Sequence, residues 1–178
     1  LGIVLAFGAE RSAAVAALEK LGGVRGRLEL AGTTPDGAAV YIDYAHTPSG
    51  LETALAALRP ATTARLLVVF GAGGDRDRGK RPEMGAVAAR LADLAIVTDD
   101  NPRSEAPDAI RKAILEACPG AREIGDRAEA IAWAIGQLQT GDVLLIAGKG
   151  HETGQTIGGR VLPFDDLAEA QKALESLA

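Results

Sequence analysis

Four short stretches of the chain gather residue types able to do chemistry. Asp43-Tyr44-Ala45-His46-Thr47-Pro48 sets a carboxylate, an imidazole and a hydroxyl side by side. The glycine-rich run Gly71 to Gly74 leads into Asp75-Arg76-Asp77-Arg78-Gly79-Lys80-Arg81-Pro82. Asp99-Asp100-Asn101-Pro102-Arg103-Ser104-Glu105 and Gly148-Lys149-Gly150-His151-Glu152-Thr153-Gly154 complete the set. An imidazole such as His46, placed just before a helix, can hydrogen-bond a phosphate or a sugar, because a helix N-terminus favours anions. Asn101-Pro102 disfavours immediate helix, so Arg103 is presented from a loop, where a guanidinium can grip a carboxylate through two parallel hydrogen bonds. The glycines around Lys149 allow close backbone approach, and Lys149, His151 and Glu152 bring opposite charges to one turn. Cations and carboxylates together suit a zwitterion such as an amino acid better than a pure anion.

Each stretch also has a plainer reading. Asp43 and Thr47 are common capping residues for the helix that Pro48 opens. The charges from Asp75 to Arg81 could be a solvated run, and Arg103 could pair with Glu105 on the surface, a contact worth little. Gly74 to Lys80 matches the first seven positions of the phosphate-binding pattern G-x-x-x-x-G-K-[ST]. Arg81 occupies the eighth position, where a hydroxyl would hold Mg²⁺, and Asp75 and Asp77 would repel phosphates. His46 and His151 are far apart and no close His/Cys spacing exists, so no metal site is expected. There is no G-x-S-x-G elbow, and Cys118 lies before Pro119 at a helix end, so no catalytic nucleophile is assigned.

The elements that must position these stretches follow from hydrophobic pattern. Val40 to Tyr44, Leu66 to Phe70, Leu94 to Thr98 and Val143 to Ala147 are near-continuous apolar runs, as expected of strands covered on both faces. Between them lie helical stripes: Leu51, Leu55 and Leu58; Met84, Val87 and Leu91; Ile110 and Ile114; Ile131, Ile135 and Leu138. A last helix follows Asp165. Alternating strands and helices predict an α/β, Rossmann-like fold, with a mainly parallel sheet, helices on both faces and one antiparallel edge strand, placed at Val161-Leu162 after the Gly158-Gly159 turn. In such a sheet ligands sit beyond the carboxyl ends of the strands, where all four stretches fall. Glu10 to Leu21 reads as an Ala-rich helix broken by Gly22-Gly23, so residues 1–26 are expected to be the tail of a preceding domain with its hinge, and 27–178 the domain proper.

Composition narrows the function. The chain has 178 residues, a net charge of −5 and 3% aromatics, which speaks against nucleic acid as a partner. One cysteine excludes an internal disulfide framework and fits a reducing, cytoplasmic setting. No apolar run reaches the roughly 20 residues of a membrane span, so no membrane association is expected. The chain opens on Leu1 without a basic or cleavable leader pattern, and reads as a piece of a longer one.

In order, Gly26-Arg27-Leu28-Glu29, Asp43 to Pro48, Gly73 to Pro82, Asp100 to Arg103 and Gly148 to Glu152 resemble the C-terminal domain of the Mur ligases, over nearly the whole chain. The resemblance implies an ATP-dependent amide ligase of peptidoglycan synthesis: ATP phosphorylates the terminal carboxylate of UDP-MurNAc-L-Ala-D-Glu, and the amine of an incoming diamino acid attacks the acyl phosphate. It further implies that Arg76, Asp100, Asn101, Pro102, Arg103, Gly148 and Glu152 meet the amino acid, that Arg27, Asp43 and His46 face ATP, and that Mg²⁺ is held mainly by a central domain outside this sequence. The Asp-Asn-Pro-Arg form resembles members that add meso-diaminopimelate, whereas lysine-adding relatives usually lack the arginine. Arg103 has a physical reason to matter there, since diaminopimelate carries a second carboxylate and a hydrogen bond to a charged group is worth about 1.5–3 kcal/mol. The sequence departs from the family at Ser49, where many relatives have Asp, and lacks the Gly-Thr-x-Gly-Lys-Thr phosphate loop, so this fragment alone is expected to be inactive. The alternatives are a lysine-adding or folylpolyglutamate-type amide ligase, or a stand-alone amino-acid-binding module.

Overall fold

Leu66 to Phe70 shows why the sheet forms: its five consecutive apolar side chains are all buried, alternately toward two separate cores. Leu66, Val68 and Phe70 face one core and Leu67 and Val69 the other, the two-residue period of a strand covered on both sides. The structure is a computed structural model that describes residues 2–18 and 22–177. Its main sheet contains β1 (Glu29–Thr33), β2 (Ala39–Asp43), β3 (Leu66–Phe70), β4 (Leu94–Val97), β5 (Arg122–Glu123) and β6 (Val143–Ala147). Their order is β1-β2-β6-β3-β4-β5, with β1 antiparallel to β2 and every other pair parallel.

Helices α3 (Pro48–Leu58), α4 (Lys80–Leu91) and α5 (Pro107–Leu115) cover one face, burying Leu51, Leu55, Met84 and Ile114. Helices α6 (Arg127–Gly136) and α7 (Asp166–Glu175) cover the other through Ile131, Ile135 and Ala170. Thr47, Asp126 and Asp165 cap α3, α6 and α7 through their side-chain oxygens. The connections after β2 and β3 run over the first face, whereas α7, which follows β6, lies on the second. Strand β6 sits between β2 and β3, so the connections diverge at the carboxyl ends of these three strands and open a crevice there. Near the start of the chain, α1 (Gly2–Ala6) packs on α2 (Arg11–Leu18), which buries none of its residues. The expected helix to Leu21 runs, at its end, outside the described residues.

The predicted α/β fold and parallel sheet are present, with one difference in placement. The antiparallel edge strand is β1, not Val161-Leu162, because Gly154–Ile157 (β7) and Arg160–Pro163 (β8) pair with each other in a separate two-stranded sheet. A turn at Gly158-Gly159, both with positive φ, closes that hairpin on itself.

Candidate functional site

The loops after β2, β3, β4 and β6 meet in one cleft of about 480 Å³, lined by Arg76, Asp100, Asn101, Arg103, Gly148 and Glu152 together with Tyr44, His46, Lys80 and others. Six of the seven residues expected around an amino acid are therefore gathered. Pro102 is not: it is buried outside the lining, and its carbonyl accepts a hydrogen bond from Glu105 N at 3.0 Å.

Arg103 is held in an uncommon conformation, with φ at +53°. Its backbone N–H donates to Thr156 O at 3.0 Å and its carbonyl accepts from Gly158 N at 2.8 Å, so the β7–β8 hairpin clamps it in place. The guanidinium Nη1 donates to Gly74 O at 2.8 Å and Asn101 O at 3.3 Å. Among the described residues its Nε and Nη2 have no protein partner, so the guanidinium keeps donors for a carboxylate. Pairing with Glu105 does not occur. Glu105 is taken by Arg81 at 2.8 Å and Arg78 at 3.1 Å and accepts Asp75 N at 2.7 Å. Hydrogen bonds from Arg81, then from the Asp75 N–H, hold its carboxyl down at about 2. The charged run after β3 is thus split: Arg81 is buried and structural, whereas Arg76 is exposed on the cleft wall.

Asn101 is fully engaged. Its Oδ1 accepts from Thr156 N at 2.8 Å and Lys149 Nζ at 3.3 Å, and its Nδ2 donates to Asp100 Oδ1 at 3.0 Å and Glu152 Oε2 at 2.9 Å. Gly148, at φ +123°, makes room for this group, since a Cβ there would lie 2.9 Å from Asp100 Oδ2. Glu152 keeps its second oxygen unpaired among the described residues, on a side chain 35% exposed, and so can receive an ammonium. The cleft lining carries both cations and carboxylates, Arg76, Lys80 and Arg103 with Asp77, Asp100 and Glu152, a set that fits a zwitterion.

A second cavity of about 400 Å³ adjoins it and shares Tyr44, His46 and Thr47; Arg27 and Asp43 also line it. Arg27 lies over the Tyr44 ring at 4.8 Å, and the His46 and His151 rings flank Tyr44 at 4.5 and 5.2 Å. His46 Nδ1 lies 2.8 Å from Tyr44 O, and a carbonyl can only accept, so Nδ1 carries the proton and Nε2 is left to accept from a ligand. Thr47 caps α3, as one plain reading had it; Asp43 does not, and instead accepts from Leu28 N and Ala45 N, each at 2.8 Å. These residues suit a nucleotide: a stacked cation and aromatic, an imidazole acceptor and a helix N-terminus. Among the described residues no three His, Cys, Asp or Glu side chains converge to hold a metal ion.

Three cations outside the residues expected to meet ligand help to build the site, of which sequence reasoning singled out only Lys149, as a charge in its turn. Lys80 reaches His46 O at 2.9 Å, with burial pushing its pKa down. Lys149 is wholly buried under the cleft. Arg127, also wholly buried, makes a two-pronged ion pair with Asp166 and donates to Ala147 O at 2.9 Å, beside Gly148.

Fold and cleft define an open α/β domain whose polar groups gather at a switch point in strand order. The chain belongs to the family described as Mur ligase, glutamate ligase domain, which matches residues 26–150. It is 60% identical, over 99% of its length, to a UDP-N-acetylmuramoyl-L-alanyl-D-glutamate--2,6-diaminopimelate ligase of Caulobacter vibrioides, and spans 36% of that relative. A relative of the same description from Rhizobium meliloti is also 60% identical, over 99% of the chain and 36% of the relative. A solved structure of a ligase so described superposes with a TM-score of 0.81 at 40% identity, covering 95% of this chain and 35% of that one. A Mycobacterium tuberculosis folylpolyglutamate synthase shares the fold, with a TM-score of 0.60 at 23% identity over 79% of this chain and 33% of that one. No helix among the described residues is long and apolar enough to cross a membrane.

Proposed function

We propose that this chain is the amino-acid-binding and nucleotide-closing domain of an ATP-dependent ligase that joins meso-diaminopimelate to UDP-MurNAc-L-Ala-D-Glu. The observation that carries the reading is the pairing, in one cleft, of Arg103 with open donors and Glu152 with an open acceptor. Diaminopimelate has two amino acid ends. Arg103, with Arg76 on the same wall, receives a carboxylate of the end away from the reaction, and Glu152 with Asp100 receives its ammonium. The other amine is left to react. A lysine would leave Arg103 facing no carboxylate, and unpaired polar groups are what make such sites selective.

Arg27, Tyr44 and His46 would hold ATP, which supplies the phosphoryl group that activates the acceptor carboxylate. Arg27 stacks, and His46 Nε2 accepts from a ribose hydroxyl, while Asp43 fixes the Leu28 backbone that leads to Arg27. Residues 1–26 act as the tail of a preceding domain, with Gly26 seated against Gly150 as the point where the two would hinge. Because the chain spans about a third of its relatives, the phosphoryl chemistry needs the rest of such an enzyme. Calorimetric titration tests the reading: meso-diaminopimelate should bind at least tenfold more tightly than lysine. Equal binding, or binding of neither, contradicts a selective site within these residues.

A further inference from the structure

Below the cleft, with no exposure to solvent, lies the Lys149 ammonium. Its Nζ is 2.9 Å from Gly154 O, 3.3 Å from Asn101 Oδ1, 3.4 Å from Asp100 Oδ1 and 3.9 Å from Glu152 Oε2. Burial pushes its pKa down and the charge of Asp100 opposes this. The charged groups facing it are Asp100 and Glu152, and, from α6 and α7, Arg127 and Asp166. An ammonium without solvent is costly unless its protons find acceptors and its charge a partner; here Gly154 O and Asn101 Oδ1 accept from it and the Asp100 carboxylate is its counter-charge.

We infer that Lys149 is the positioning residue for amino-acid recognition, acting through Asn101 and the base of the β7–β8 hairpin. The inference rests on the function proposed above and adds a residue and a route to it. An ammonium only donates, so the Asn101 atom that faces it must be the oxygen, and the amide nitrogen is thereby turned toward Asp100 and Glu152. Those two carboxylates share one Asn101 amide, and the Lys149 ammonium lies 3.4 Å from one and 3.9 Å from the other, a positive charge set between them. The same ammonium fixes Gly154, where β7 begins, and Asn101 Oδ1 fixes Thr156 N, one residue from the Arg103 bridge. Both ends of the proposed ligand site, the Glu152 carboxylate and the Arg103 guanidinium, are therefore set by one buried charge.

The test uses the 178-residue chain with Lys149→Met and Lys149→Gln, the latter keeping a neutral donor. Hydrogen exchange should show Thr156, Arg103 and Gly158 amides losing protection at least tenfold in Lys149→Met, while strand β3 stays protected. Lys149→Gln should fall between. Meso-diaminopimelate should bind at least tenfold more weakly to both variants. Unchanged protection at the three amides, or diaminopimelate binding within twofold of the parent in either folded variant, overturns the inference. If the parent chain binds no diaminopimelate, the functional reading fails, and the exchange measurement still decides whether Lys149 positions the loop. If Lys149→Met does not fold, Lys149→Gln decides alone.

Discussion

Removing the Asp166 carboxylate should expose how strongly the back of the site is built. Arg127 and Asp166 are both 0% exposed and joined by two hydrogen bonds, Nε to Oδ1 at 2.7 Å and Nη2 to Oδ2 at 2.8 Å. In Asp166→Ala the guanidinium stays buried without its partner, a change that costs about 3–5 kcal/mol. For a domain of this size each kcal/mol is about 2–4 °C, so the melting temperature should drop by roughly 6–20 °C. Replacing both charges, as Arg127→Met with Asp166→Leu, removes the stranded ion and leaves chiefly the lost bond to Ala147 O. That double variant should lie within about 1–3 kcal/mol of the parent. Urea unfolding at pH 7 measures all three, with an unchanged slope showing that the unfolded state is the same. A loss under about 1 kcal/mol in Asp166→Ala, or a double variant as unstable as the single one, would refute the buried-charge argument.

Three further outcomes are expected. Arg103→Ala should weaken meso-diaminopimelate binding by roughly 10- to 150-fold, the equivalent of one charge-assisted interaction, and shift lysine binding less than threefold by calorimetry. Gly26→Ala should dislodge the crossing of residue 26 over the Gly150 loop, since its Cβ would lie 2.3 Å from His151 N and its φ is +68°; a loss of about 1–3 kcal/mol in urea and faster exchange at His151 would show it. Glu105 has a folded pKa of about 2, below its ordinary 4.5, so its stabilising effect is present above pH 4.5 and fades as pH falls toward 2. Glu105→Gln should therefore be less stable than the parent at pH 6 in urea and match it near pH 2; a gap that persists at pH 2 counts against the Arg81 pairing.

The sheet was legible because β3 and β6 are unbroken apolar runs, and buried parallel strands are written that way. β5 was not, since Arg122 and Glu123 are two exposed charged residues that only their neighbour strand makes a strand. The edge strand was misplaced for a related reason: a Gly-Gly turn identifies a hairpin but not the sheet it joins, whereas β1, with Gly32 and partial exposure, carries no alternating signal. In the cleft, the loops were found by their place after strands, and the geometry separates what spacing could not. Asp165 and Asp166 are adjacent, yet one caps α7 and the other is a buried counter-ion. Arg76, Arg78 and Arg81 look equivalent in sequence, and only Arg81 is buried. Lys149 in sequence is only one charge of a glycine-rich turn; its burial follows from Asp100 and Asn101, which arrive from 48 or more residues away.

The measurement that bears most directly on the central claim is a crystal structure of this chain with meso-diaminopimelate. The account predicts one carboxylate on the free Nε and Nη2 of Arg103, the neighbouring ammonium on Glu152, and the second amine pointing out of the cleft toward the cavity of Arg27 and His46. Ligand seated elsewhere, or in the cleft with Arg103 still turned only to Gly74 and Asn101, would contradict it.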